Sequence, residues 1–289
     1  MSHFYLTLPS NSSVDFYPDN TLTQFRTKLK EDITLQGDWE VGLSEIIYPK
    51  SWYNITRDQQ VAITCTDCSE VTPPFASKPN RRTYTKIVFI AAGYYRSMQD
   101  IIVELNKVLG QAYAEPVEDW REGDTNYYVN QEARPMFTFN PATNKVSVLV
   151  HGKTAMWFSP NLRQILGLTD KKHEIMHNRR KRPKNIEAER TSDVECGRHA
   201  LYVYCDLLEC VPVGDTAAPL LRIVDIDGQH STMVHRCYER PRYVPLQKKH
   251  FGSLEIHIRD SFGEKIPFES GTVVVTLHFR KTKGNYFLA

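Results

Sequence analysis

Charge imbalance is almost absent from this chain: 36 Lys and Arg face 34 Asp and Glu, a formal net charge of +2. Proteins that hold nucleic acid through their overall field are strongly basic, so any such contact here has to be local. Long apolar runs are missing too. Nowhere do eighteen apolar residues follow one another, which excludes a membrane-spanning helix, and the opening MSHFYLTLPS is too short and too polar for a secretory signal. The sequons at Asn11 and Asn54 are therefore expected to stay unused. Cysteine is sparse, and the six at 65, 68, 196, 205, 210 and 237 make no disulfide framework in 289 residues. Cys205 shares the phase of Leu201, Val203 and Leu207 in ALYVYCDL, so a buried, reduced thiol is expected there, in cytosol or nucleus. No phosphate-binding glycine loop, nucleophile elbow or ordered Ser/His/Asp set is present. No catalytic residue, cofactor or metal is assigned, and the chain reads as a non-enzyme.

What the chain does have is alternation. In HFGSLEIHIRDSFGEKIPFESGTVVVTLHFRK, Leu254, Ile256 and Ile258 alternate with Glu255, His257 and Arg259. Val273, Val275, Leu277 and Phe279 then alternate with Thr272, Val274, Thr276 and His278. Period two puts one face of each strand in a core and the other towards solvent or a neighbour. Phe262-Gly263 and Ser270-Gly271 punctuate the pair. Similar strands are expected in HFYLTLP, in TLTQFRTKL and in DWEVGLSEIIYP, where Trp39, Val41 and Leu43 keep step. Others are expected in QQVAITCT, YTKIVFIAA, HALYVYCDLLE, LLRIVDI and STMVHRCY.

The middle changes period. SMQDIIVELNKVL carries Met98, Ile101, Ile102, Leu105, Val108 and Leu109 at three-and-four spacing, with Ser97 as N-cap and Gly110 as C-terminal stop. A hairpin, MFTF–NPATNK–VSVLV, follows, then a short helix in SPNLRQILGL with Ser159 as its cap and Gly167 at its end. Residues 169–198 form a charged segment without periodicity. The pattern is that of a mainly β protein, one antiparallel β-sandwich with a mid-chain α/β insertion at about 93–198. The insertion includes the basic loop 169–198. Residues 1–20 read as an extended N-terminal arm and 21–289 as the sandwich domain.

Three short motifs invite a functional reading. His173-Glu174-x-x-His177 has the spacing of a zinc hydrolase, in which a helix sets both histidines on one face and the glutamate acts as base. Lys172 and the run Arg179–Arg182 place positive charge beside that dication site, and Pro183 blocks the way to Glu187, Glu189 and Glu195 as third ligands. The run itself, Arg179, Arg180, Lys181 and Arg182 with Lys184, is a candidate nuclear-import signal or DNA-facing loop. From 171 to 190 eight Lys/Arg face three Asp/Glu, but no aromatics interleave with them to stack bases. Cys65-x-x-Cys68 stands without a second pair, and no role is assigned to it. Asp225-x-Asp227-Gly228 lacks calcium ligands at Ile223 and Val234 and is expected to be a hairpin turn.

Two long segments carry a family likeness. SHFYLTLPSNSSVDFYPDNTLTQFRTKLKEDITLQGDWEVGLSEIIYPKSWYNI and RYVPLQKKHFGSLEIHIRDSFGEKIPFESGTVVVTLHFRK resemble the two ends of a minor capsid, or penton, protein of Polinton/Maverick elements and the related adintoviruses. YRSMQDIIVELNKVL, SPNLRQILGL and HALYVYCDLLE fit the same pattern. The likeness weakens over 66–82 and 169–198. It implies a single jelly roll, a homopentamer at the five-fold vertices of an icosahedral capsid, and contact with a double-jelly-roll major capsid protein. A place in the virion follows from it, with assembly in the host cytoplasm or nucleus and packaged DNA met through the basic loop. Other readings are a different minor capsid or cement protein, a domesticated cellular descendant, the zinc-dependent hydrolase of His173, Glu174 and His177, and a carbohydrate-binding β-sandwich.

Overall fold

The computed structural model describes residues 2–66, 83–115, 117–118, 126–127, 134–150, 153–169, 175–176 and 183–282. The chain divides into two compact units, one of Met1–Trp52 with Gly197–Ala289 and one of Tyr53–Cys196. The first unit begins with β1 (His3–Pro9), β2 (Gln24–Thr34) and β3 (Trp39–Pro49). The second holds β4 (Gln59–Thr66), β5 (Thr83–Ile90), α1 (Met98–Ala114), β6 (Val117–Glu118), β7 (Asn126–Tyr127), β8 (Met136–Asn140) and β9 (Lys145–Val150). It continues with β10 (Lys153–Phe158), α2 (Pro160–Ile165), β11 (Ile175–Met176) and β12 (Lys184–Glu187). The first unit then resumes with β13 (Ala200–Cys205), β14 (Val211–Val213), β15 (Thr216–Ala218) and β16 (Leu220–Asp225). It ends with β17 (Met233–Cys237), β18 (Tyr243–Pro245), β19 (His250–Arg259) and β20 (Val274–Lys281).

In the first unit one sheet has the order β1-β20-β3-β17, with β18 also on β3, and the other has the order β16-β13-β19-β2. Setting aside the β14–β15 hairpin and joining β17 with β18, eight strands remain. One sheet takes the first, eighth, third and sixth in chain order, and the other takes the second, seventh, fourth and fifth. All pairs are antiparallel. This is the double Greek key of a single jelly roll. Alternation explains why it packs: Leu201, Val203 and Cys205 of β13 and Leu254, Ile256 and Ile258 of β19 face Val275, Leu277 and Phe279 of β20 in one core, each at most 1% exposed. Burial pushes the Cys205 thiol up to about 12, as an inert core cysteine requires.

The alternation slips where bulges interrupt the ladders, as at Val203/Tyr204 of β13, Phe251/Ser253 of β19 and Thr276/Leu277 of β20. In β3 the buried phase passes from Trp39, Val41 and Leu43 to Ile46 and Tyr48, because a bulge opposite Thr276/Leu277 inserts an extra residue. A further departure concerns β19 and β20. They are neighbours in sequence and lie in opposite sheets, joined by a connection whose Gly271 has φ +103°. A Cβ there would fall 2.8 Å from Pro49, so glycine is needed twice over.

The second unit has its own core. Its sheet β11-β10-β4-β5 and its sheet β12-β9-β8 contribute Val61, Ile63, Met156, Phe158, Phe137 and Val148. The α1 helix adds Met98, Ile101, Ile102, Leu105, Leu109 and Tyr113. Ser97 and Asp100 form the expected capping box. Asn106 pins the helix to β8 by exchanging two hydrogen bonds with the Phe137 backbone, at 2.8 and 2.9 Å.

Several expectations need correction. Residues 1–20 are not an extended arm: His3–Pro9 is an edge strand paired with β20 along its length. Residues 10–20 fold back as turns, held by the Asn20 side chain to Ser12 and Arg26 and by Ser13 Oγ to the Lys28 amide. The inserted unit begins at Tyr53 rather than about 93, because QQVAITCT pairs with YTKIVFIAA on one side and with β10 on the other. The α1 helix runs through Gly110 to Ala114, since Tyr113 extends the buried stripe and Lys86 caps the carbonyls of Ala112 and Glu115. Ser159 is the N-cap residue of α2, as expected, but its side chain caps no backbone amide. Its hydroxyl donates to Gln59 Oε1 at 2.7 Å. The turn at Asp227-Gly228 joins strands of different sheets, so it is a crossover and not a hairpin.

Candidate functional site

Outward-facing side chains of the β1-β20-β3-β17 sheet gather into one polar aromatic cluster. Register places Tyr5 opposite His278 and His3 opposite Arg280, while Gly42 lies between His278 and Tyr243. The Tyr5 and His278 rings stack at 4.3 Å, with the His3 ring edge-on to His278 at 5.4 Å. The Tyr243 hydroxyl lies 2.8 Å from His278 Nδ1, and the Arg280 guanidinium sits 3.4 Å over the Tyr243 ring while bonding Glu40 at 2.5 Å. Burial, then the charges of His3 and Arg280, hold the His278 pKa below its ordinary value.

That shift carries a sign. The unfolded chain takes up a proton on this histidine near pH 6.5 and the folded chain only below that. Stability is thus lost as pH falls from the unfolded pKa towards the folded one. The drop in urea midpoint between about pH 7 and pH 5 should therefore shrink in His278→Phe. An unchanged drop would mean that other groups govern it.

The residues singled out in sequence fare unevenly. Arg179, Arg180, Lys181 and Arg182 lie outside the described residues, as do His173, Glu174, His177 and Cys68. Lys184 is exposed at the start of β12, paired with Val150. Ile175 and Met176, between the two histidines, are β-strand on β10, where the chain rises about 3.3 Å per residue, more than twice the rise of the helix that the zinc motif uses. Cys65 is in β4, opposite Tyr84. Among the described residues no group of three or more His, Cys, Asp or Glu could hold a metal ion, and no helix is long and apolar enough to cross a membrane. Asn54 of the second sequon is 3% exposed and spends its amide on Ile55 and Tyr95.

Two surfaces escape sequence reasoning. In YTKIVFI both faces are apolar: Val88 and Ile90 are buried, while Ile87 and Phe89 are 53% and 55% exposed, in one sheet with half-exposed Trp157. The other is the outer face of the β16-β13-β19-β2 sheet. There Tyr204 opposes His257, which opposes Gln24, and Tyr202 opposes Arg259. Alternation marks these residues as outward, but only the register brings them together.

The chain is similar to the mavirus penton protein as seen in its crystal structure, with 12% sequence identity over 97% of this chain and 100% of that chain and a TM-score of 0.47. No family model and no curated protein matches it.

Proposed function

We propose that this chain is a non-enzymatic structural protein of a viral capsid, a penton subunit that forms homopentamers at icosahedral five-fold vertices. The observation that carries the reading is the strand order of the first unit, the single jelly roll that the sequence resemblance implies. A cyclic ring uses one flank of each subunit against the other flank of the next. The sandwich offers flanks of that kind, since β1 and β17 border one sheet and β16 and β2 the other. The longest of these, β2, carries Lys28, Lys30, Glu31 and Asp32 in its exposed stretch, which blunts indiscriminate strand pairing. In this reading the ring's outer surface meets a double-jelly-roll major capsid protein. The basic run of Arg179, Arg180, Lys181 and Arg182, with Lys184 at the start of β12, serves nuclear import or faces packaged DNA, with assembly in host cytoplasm or nucleus.

Native mass spectrometry of the purified chain without chelator tests the proposal. A metal-free species at five times the 33.4 kDa subunit mass is the expected result, alone or once the major capsid protein is added. A monomer with one stoichiometric zinc overturns it in favour of the hydrolase. A metal-free monomer that the major capsid protein leaves monomeric overturns it outright.

A further inference from the structure

The outer face of the β16-β13-β19-β2 sheet holds a recess of about 360 Å³ lined by Tyr204, Cys205, Asp206, Pro219, His257 and Arg259. Its size is that of a small-ligand site. Cys205 faces the core and is fully buried, so the chemistry comes from the other side chains. Tyr204 and Pro219 give flat apolar walls. Asp206, His257 and Arg259 line the rest, and the carboxylates of Asp206 and the adjacent Glu255 are already engaged. Asp206 accepts the Glu255 amide at 2.8 Å and pairs with Lys248 at 2.9 Å. Glu255 takes Gln24 at 2.9 Å, Arg26 at 2.5 Å and His257 at 2.9 Å. Burial alone would raise the Glu255 carboxyl, but its bonds from Gln24 and Arg26, with the charges of His257 and Arg26, outweigh burial and hold it low. Arg259 spends one N–H on the Gly263 carbonyl at 3.1 Å, and a guanidinium has five.

The same face continues in kind. Tyr202 and Arg259 form the next row, two residues along β13 from Tyr204. On the far side Arg26 lies 5.6 Å from the Tyr17 ring and Lys28 4.1 Å from the Phe16 ring. Aromatic rings interleaved with cations on an open sheet face suit a ligand with repeated flat rings and repeated negative charge. A divalent cation is repelled by Arg259. A neutral sugar would leave Arg259 without an anion.

We propose that this face binds single-stranded nucleic acid, with one base seated against Tyr204 and Pro219 and its phosphate on Arg259. This site is separate from the basic loop, which has no interleaved aromatics. Binding is read on the isolated full-length chain, so its outcome and that of capsid assembly are independent.

Fluorescence anisotropy with a labelled oligothymidylate of about 20 nucleotides tests it, in about 50 and 200 mM salt. The proteins are wild type, Tyr204→Ala, Arg259→Ala, Arg259→Lys and a chain with Arg179, Arg180, Lys181 and Arg182 all changed to alanine. Thermal midpoints identify any variant that fails to fold, and Arg259→Lys serves as the conservative partner. Tyr204→Ala is expected to weaken binding about tenfold, in the loop-neutralised background as well. Arg259→Ala is expected to weaken it and flatten the salt dependence, with partial rescue by lysine. Absence of binding overturns the proposal, as does affinity indifferent to Tyr204 and Arg259 or equal affinity for a duplex of the same length. Displacement by thymidine monophosphate at matching concentration would reassign the recess to a free nucleotide and overturn the strand-binding role.

Discussion

Phe279→Ala is expected to lower the stability of the jelly-roll unit by about 3–5 kcal/mol, out of the ~5–15 kcal/mol typical of a domain. The side chain is fully buried in β20, between the neighbouring strands β1 and β3. Its ring stacks on Phe4 of β1 at 4.7 Å with a 4° interplanar angle. It also meets Phe251 of β19, in the other sheet, at 6.0 Å. Phe4 in turn leans on Trp39 of β3 at 5.7 Å. Truncation therefore removes one ring from a stack that ties an edge strand and two sheets together. Neighbours held by backbone ladders on every side cannot collapse into the space. The chain has two compact units, so segment-resolved hydrogen exchange is a better readout than one global transition. Protection in β19 and β20 should fall about 100-fold or more. Phe262→Ala, at a side chain 62% exposed, should stay within about 0.5 kcal/mol. A Phe279→Ala loss no larger than that control would contradict the packing of the sandwich.

The amino-acid sequence alone marks Phe279 as a core residue, but it does not name the partners of that ring. Period two identifies Val275, Leu277 and Phe279 as one buried face, as it does Leu254, Ile256 and Ile258. That signal is local, because each residue's phase is set by its immediate neighbours in a pleated strand. Pairing is not local. β20 hydrogen-bonds to β1, at the other end of the chain, and its sequence neighbour β19 lies in the opposite sheet. Helix α1 is the reverse case, legible with its cap because its apolar stripe and its Ser97–Asp100 box lie within one segment. Its end is not legible in the same way, since Tyr113 and the lysine from β5 act across the fold. The recess at Tyr204, His257 and Arg259 is hidden for the same reason as the strand pairing. Each residue is visibly outward, and nothing in the sequence says which outward residues share a row.

Asp260→Ala is the second change expected to cost about 3–5 kcal/mol, through two stranded backbone amides together with an uncompensated buried charge. Asp260 directly follows β19 and is 2% exposed, unusual for a carboxylate. One oxygen, Oδ1, accepts the backbone amides of Phe262 and Glu264, both at 2.9 Å. Its own amide donates to the Glu264 carbonyl at 2.9 Å, and its carbonyl accepts the Gly263 amide at 3.1 Å. The residue thus shapes the first turn of the connection that carries the chain from one sheet to the other. Its second oxygen lies 3.7 Å from Arg198 Nε, close enough for charge pairing though neither atom has a hydrogen-bond partner. Alanine would strand two amides and leave the Arg198 guanidinium, itself only 12% exposed, without its counter-charge. Asp260→Asn separates the two effects. It keeps an oxygen for the amides and removes only the charge, so its loss should be clearly smaller than that of alanine. Urea unfolding of the two variants, alone and combined with Arg198→Met, measures the coupling. If the ion pair dominates, Arg198→Met should recover much of both losses; if the turn bonds dominate, it should recover little of the Asp260→Ala loss. Equal losses for asparagine and alanine would instead make the charge the whole effect and the turn incidental. In that case the crossover would owe its shape to Gly263 and Gly271, both at positive φ, and not to the carboxylate.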